Sequence, residues 1–241
     1  MSLLCLSGFA LLLRRTTQAV YPDYPKFVRD LAPVIAIALI PVLFFREANL
    51  FYDPLTWFLY PLCFLLILTR AHLAYLLLFP LAVLHKETAI LLVVLFFLRE
   101  RGALSHTRLL PLITPQLLAY VGIKLSLTYI FRANPGTLAE SHIPYNLTSF
   151  LDPISYAKTL LVLLPLGSLI AFRWREKPTY LRQGFLATML AMLVLAFAFG
   201  VLGEFRAYYE LYPLIYLLAL PSVLEIFGIP ISSSAPMPRA T

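Results

Sequence analysis

Apolar runs of membrane-helix type recur from one end of this chain to the other, and short turns between them carry most of the charge. That pattern leaves few folds open. Lipid offers no water to an unpaired N–H or C=O, so only helices and closed barrels cross it. The alternating apolar–polar strands of a barrel are absent from the sequence. The expectation is therefore an all-α, polytopic helical membrane protein. Composition agrees: 61% of residues are hydrophobic and 13% are charged, against about 25% charged in soluble domains, and the mean hydropathy is +0.84. The net charge of +7 would suggest nucleic acid in a soluble protein. Here the basic residues lie in short turns, as membrane topology requires, and no aromatic stacking motif accompanies them, so no nucleic-acid partner is expected. Cys5 and Cys63 both sit in apolar runs and read as packed thiols. The start lacks a basic n-region and does not read as a secretory signal.

The apolar segments are roughly 1–13, 31–45, 53–69, 71–84, 87–98, 109–131, 156–172, 184–202 and 207–226, and 227–241 reads as a flexible C-terminal tail. Residues 71–98 allow two arrangements: one long helix with His85, Lys86 and Glu87 at mid-membrane, or two short helices with that cluster in the turn. Basic residues separate them. With two helices, one side of the membrane holds thirteen Lys and Arg and the other six; with one helix, Lys86 is buried and the rest split nine against nine. The positive-inside rule favours two helices, hence about nine membrane segments, some short or re-entrant, with the C-terminus cytoplasmic. Charge at mid-bilayer is also expensive, and Pro80 would kink a continuous helix. Segment 87–98 rises only about 18 Å, against a hydrocarbon core of about 30 Å. The His-Lys-Glu turn should therefore dip into the membrane, inside protein or a wet cavity.

This topology gathers seven of the twelve acids on the poorly basic side: Glu47, Asp53, Glu87, Glu140, Asp152, Glu204 and Glu210. Carboxylates contribute little to orientation, so insertion does not account for them. Converging acids and bases suit a site for an anionic or polyhydroxylated ligand. Local explanations compete. Glu87 and Thr88 can cap a helix and complement its dipole, Asp53 before Pro54 is an N-cap pattern, and Arg206 and Glu210 are spaced to pair along one helix. Most tyrosines fit an interfacial belt. Asn146-Leu147-Thr148 is a glycosylation acceptor pattern. Nucleophile elbow, P-loop, zinc spacing and dinucleotide fingerprint are all missing from the sequence.

The stretches "FYDPLTWFLYPLCFLLI", "RAHLAYLLLFPLAVLHKETAILL" and "GEFRAYYELYPLIYLLAL" resemble, in order and spacing, bacterial polytopic membrane glycosyltransferases of the GT-C type. The shared elements are a Tyr-Asp at a helix start, an Arg-Glu-Thr turn in which Lys86 replaces the Arg, and a late Glu-x-Arg before an aromatic helix containing Pro. The likeness covers about residues 1–226 and implies a GT-C-like domain whose first helix and first outer loop are missing before Met1. It also implies inverting transfer of a sugar from a polyprenyl-phosphate donor, on the non-cytoplasmic face of a bacterial inner membrane. Lys86 and Arg206 would meet the lipid phosphate, with His85 beside them. Asp53 and Glu87 would be the catalytic carboxylates, and with Glu204 they would bind sugar hydroxyls, orient the cations or hold a divalent metal ion. Tyr52, Tyr208 and Tyr209 would stack on the sugar or line the prenyl groove. A transporter or flippase of a lipid-linked or anionic solute, and a non-catalytic membrane scaffold, are the alternatives.

The basic asymmetry makes a direct prediction. A cysteine placed at His142 is labelled from outside the cell and one placed at Leu104 is spared. The reverse pattern contradicts the topology.

Overall fold

The protein is described from a computed structural model over residues 2–44, 53–134, 140–149 and 153–229. All regular structure among these residues is helical: α1 (Ser2–Val20), α2 (Lys26–Phe44), α3 (Asp53–Leu68), α4 (His72–His85), α5 (Ile90–Glu100), α6 (His106–Ile130), α7 (Ile143–Ser149), α8 (Pro153–Ala171), α9 (Thr179–Phe199) and α10 (Tyr212–Ile226). Short 3-10 turns fall at Glu87–Ala89, Trp174–Glu176 and Phe205–Leu211. Each apolar segment of the sequence lies on a helix, and α7 is additional. Three stretches are long and apolar enough to cross a membrane: His106–Ile130, Thr179–Phe199 and Tyr208–Ile226. Both cysteines are free and buried.

The distribution of polarity is inverted relative to a water-soluble bundle. Leu73, Leu77, Leu81 and Leu84 form one stripe of α4 and are all more than half exposed. Leu110, Leu118, Val121 and Leu125 do the same on α6. Contiguous apolar surface on this scale is rare against water and ordinary against lipid. The interior, in contrast, holds Thr17, Thr56, Thr88, Glu100, Gln116, Asn146, Lys177, Thr188 and Glu210. Only 11% of the apolar window of α6 is buried, against 67% for the window ending in α10. α10 is therefore the central helix and α6 a peripheral one.

Residues 71–98 form two helices. Lys86 is extended, with φ −153° and ψ 138°, and its N–H donates to the Ala82 carbonyl at 2.9 Å to close α4. The chain then turns through the 3-10 segment into α5. The two helices return on each other as a hairpin: His72 and Glu100 lie 3.6 Å apart, and the Tyr75 and Phe96 rings stack at 5.4 Å. These pairs are nearly equidistant in sequence from Lys86, which puts the apex there. α4 rises about 21 Å and α5 about 16 Å, so both are short for a full crossing. At the foot of the hairpin Arg70 adopts a left-handed conformation, φ 56°, in a Schellman-type end to α3, with Ala71 N–H donating to Leu66 O and Arg70 N–H to Ile67 O. Glycine normally takes that place, as Gly228 does after α10 with φ 67°. The strain of roughly 1 kcal/mol is tolerated where Arg70 Nε donates to the buried Glu100 carboxylate at 3.3 Å.

Polar side chains close the other helix ends. Lys177 is 4% exposed, and its ammonium donates to Leu169 O (2.8 Å), Ile170 O (2.7 Å) and Ser222 Oγ (3.1 Å). It thus satisfies carbonyls that α8 leaves without a helical partner and ties that end to α10. Burial pulls its pKa down to about 8, which still leaves it charged at neutral pH. At the opposite end of the bundle, Asn146 is fully buried. Its amide donates to Ala196 O, Phe197 O and Gly200 O at 2.8–3.2 Å, and its Oδ1 accepts from Leu202 N–H at 3.1 Å. The acceptor-like Asn146-Leu147-Thr148 triplet is thus a structural cap on α9, with no amide free for a glycan. α1 runs on past the predicted end at residue 13, because Arg14 pairs with Asp30 of α2 at 2.5 Å and Thr16 and Thr17 return their hydroxyls to Leu13 O.

Asn146→Ala should destabilise the folded protein by about 2–3 kcal/mol, because it strands several buried backbone groups together. Asn146→Asp should be worse, since a carboxylate then faces three carbonyls. Thermal unfolding in detergent or nanodiscs measures both, and a neutral Asn146→Ala would contradict the cap.

Candidate functional site

The hairpin apex meets two other elements at one end of the bundle: the first turns of α3 and the 3-10 segment Phe205–Leu211 that leads into α10. The break at Lys86 is what lets its side chain leave the helix direction and enter the protein. Lys86 Nζ lies 2.6 Å from Glu210 Oε1, with the side chains 22% and 0% exposed. Thr88 Oγ1 donates to the same oxygen at 2.5 Å. His85 Nε2 and Thr56 Oγ1 are 2.9 Å apart and join the apex to α3. A cleft of about 10 Å³ lies among Thr56, Tyr60, His85, Lys86 and Glu210, with Leu59, Ala82 and Ala89 as its apolar walls.

The structure distributes the sequence-predicted residues unevenly. Lys86 and His85 line the cleft. Glu87 does not: its side chain is 72% exposed and faces Lys124 of α6 at 3.7 Å. Glu204 is half-buried and immediately precedes the 3-10 segment. Tyr208 donates to Leu202 O at 3.3 Å. Tyr209 is 2% exposed and packs edge-on against Trp57, centroids 4.9 Å apart, so its ring belongs to the core. Tyr52 lies outside the described residues, as do the side chains of Asp53 and Arg206; by backbone, Asp53 opens α3 and Arg206 lies in the 3-10 segment.

Three participants escaped sequence reasoning. Glu210 was read as a local partner of Arg206, whose side chain lies outside the described residues; the structure pairs it with Lys86 across 124 positions. Thr88 was read as a helix cap, yet the turn has no side-chain cap and the hydroxyl goes to Glu210. Tyr60 was not singled out among the tyrosines and lines the cleft. The signal for Glu210 was available: an acid just before a buried apolar helix needs a partner, and helical spacing offered only the nearest one.

Chemically the site is a desolvated ion pair with one free face. A carboxylate accepts at four positions and an ammonium donates three N–H, so the pair leaves capacity on both partners. Lys124 and Glu87 form a second, more exposed pair beside it. Each lysine is thereby balanced by a carboxylate. Among the described residues no three His, Cys, Asp or Glu side chains gather where they could hold a metal ion; the side chain of Asp53 lies outside them.

Removing one partner should leave the other charge buried and alone, at about 3–5 kcal/mol. Lys86→Met and Glu210→Gln should each destabilise strongly, and the double variant should recover most of the loss. Additive effects in chemical or thermal unfolding would show that the pair does not couple the apex to α10. No protein family, curated protein or solved structure matches the chain.

Proposed function

We propose that the chain is a GT-C-type membrane glycosyltransferase that binds a polyprenyl-phosphate sugar at the hairpin apex, on the non-cytoplasmic face of a bacterial plasma membrane. About nine segments then lie in the membrane, with the C-terminus cytoplasmic. The observation that carries this reading is Lys86. It is a cation recessed within the helical bundle, fixed by a fully buried carboxylate and still 22% exposed. An ammonium in that position can donate to a phosphate oxygen in a low-dielectric site, where such contacts stabilise a departing phosphate far more than they would in water. Glu210 is then a positioning residue: it holds Nζ at the apex and leaves the other N–H donors for ligand. Sidedness supports the same picture. Arg70, Arg99, Arg101, Arg173, Lys177 and Arg182 belong to the opposite end, through contacts such as Arg99 N–H to Leu68 O, Arg101 to Gln183 and Arg173 to Glu225.

A non-catalytic membrane scaffold is the second reading. It is favoured by the balanced lysines and by a cleft of about 10 Å³, which admits one small group and not a whole sugar. The two readings part on ligand binding. In nanodiscs, a polyprenyl phosphate should bind the native chain, and the Lys86→Met/Glu210→Gln variant, which keeps the interior neutral, should bind at least about tenfold more weakly. Lys26→Ala, an exposed change at the opposite end, should leave binding unaltered. Equal binding by native and double-variant protein, or no binding by either, would leave the scaffold.

A further inference from the structure

Where the last turn of α5 meets the first turns of α9, three arginines make no ion pair among the described residues. Arg99 Nη2 donates to Leu68 O at 3.3 Å, and its guanidinium lies 5.7 Å from the Tyr180 ring centroid. Arg101 Nη2 donates to Gln183 Oε1 at 2.8 Å. Arg182 Nη2 donates to Thr179 Oγ1 at 3.1 Å, and its guanidinium lies 5.9 Å from the Trp174 ring centroid. All of these partners are neutral. The acids at this end pair with other cations: Glu100 with Arg70 and His72, Glu176 and Glu225 with Arg173. Arg101 is exposed, and Arg99 and Arg182 are partly exposed, so all three reach the surface. A guanidinium has five N–H donors, and each of these bonds uses one.

Apolar surface continues from the same junction. Arg101 N–H donates to Phe97 O, which sets Phe97 one helical turn away on α5. The Arg101 guanidinium lies 6.0 Å from that ring, and the ring is exposed. On α9, Leu186 and Leu190 follow Gln183 along one helix face, and both are more than half exposed. Two adjacent helices thus present a cationic head joined to an apolar wall. A soluble anion would cover the guanidiniums and leave the wall bare. A zwitterionic lipid would cover the wall but bring its own cation beside the arginines. A phospholipid with net negative charge matches both parts: its phosphate suits the fork of a guanidinium, and basic clusters at helix ends hold such headgroups.

We infer that the α5–α9 junction is a binding surface for an anionic glycerophospholipid, whose phosphate meets Arg99, Arg101 and Arg182 and whose acyl chain lies against Phe97, Leu186 and Leu190. The surface is at the other end of the bundle from the hairpin apex and needs no ligand there.

Lipid retention tests this. The chain is placed in nanodiscs of equal phosphatidylglycerol and phosphatidylcholine with matched acyl chains, and native mass spectrometry counts the lipid that stays on the released protein. The native chain should retain the anionic lipid about fivefold over the zwitterionic one. Arg99→Gln/Arg101→Gln/Arg182→Gln should abolish that preference. Arg15→Gln/Lys26→Gln/Arg29→Gln removes equal charge from α1 and α2 and should keep it. No preference in the native chain, or equal loss in both triple variants, would overturn the surface, since net charge alone would then account for the lipid. Should the first triple variant fail to fold, Arg101→Gln alone, an exposed change, should lower the ratio about twofold, and an unaltered ratio would overturn the surface. Excess inorganic phosphate should leave the lipid in place; displacement would overturn it as well, because a free anion would then suffice.

Discussion

The ion pair between Lys86 and Glu210 joins the apex of the α4–α5 hairpin to the segment that leads into the central helix. Glu210 is fully buried and Lys86 keeps only 22% of its side chain exposed, so water offers little to either charge. A unit pair at contact distance attracts by a few kcal/mol even at an effective dielectric near that of a protein surface, and either partner alone carries a desolvation penalty of several kcal/mol. The position of the apex is therefore not a matter of loop preference. Thr88 adds a second bond to the same oxygen, and His85 adds a third tie to Thr56 of α3. α3, the α4–α5 hairpin and the Phe205–Leu211 segment are registered by one turn.

The foot of the hairpin is held by the same kind of device. Glu100 is buried, and Arg70 and His72 both approach its Oε1. Tyr75 and Gln116 hydrogen-bond at 2.9 Å between α4 and α6, one turn above the base. The hairpin is thus pinned at the apex and around the base by polar contacts, while its Leu73–Leu84 stripe faces outward. This arrangement suits a membrane. Lipid removes the hydrophobic drive that would pack helices in water, and hydrogen bonds and close packing take its place. Close packing is visible where Gly8 lets α1 approach α3: a methyl group there would lie 2.7 Å from the Phe58 ring.

Much of the helical layout was legible in the sequence, because uninterrupted apolar runs have one low-energy form in lipid. The break at Lys86 was legible too, from Pro80, three polar residues together and the distribution of basic residues across the turns. The partners of those polar residues were not. Local spacing pointed Glu210 toward Arg206 and Thr88 toward its own helix, since a single sequence displays neighbours at helical intervals and hides those that the fold brings in from more than a hundred positions away. Asn146 shows the same blindness from the other side: a surface-type motif turned out to be a buried cap on α9. Lys177 counted in the sequence only among the thirteen basic residues of one side, and its ammonium closes the end of α8.

The account turns on whether Lys86 and Glu210 touch inside the bilayer. Solid-state NMR can decide this on the native chain in lipid, by recoupling the 15Nζ of lysine to the side-chain 13C carboxylate of glutamate and assigning the signals by Lys86→Arg and Glu210→Gln. The account predicts a strong dipolar contact between these two groups, in keeping with their 2.6 Å separation, and its loss in either variant. A Lys86 ammonium with no carboxylate carbon nearby, or one whose only carboxylate neighbour is Glu87, would contradict it.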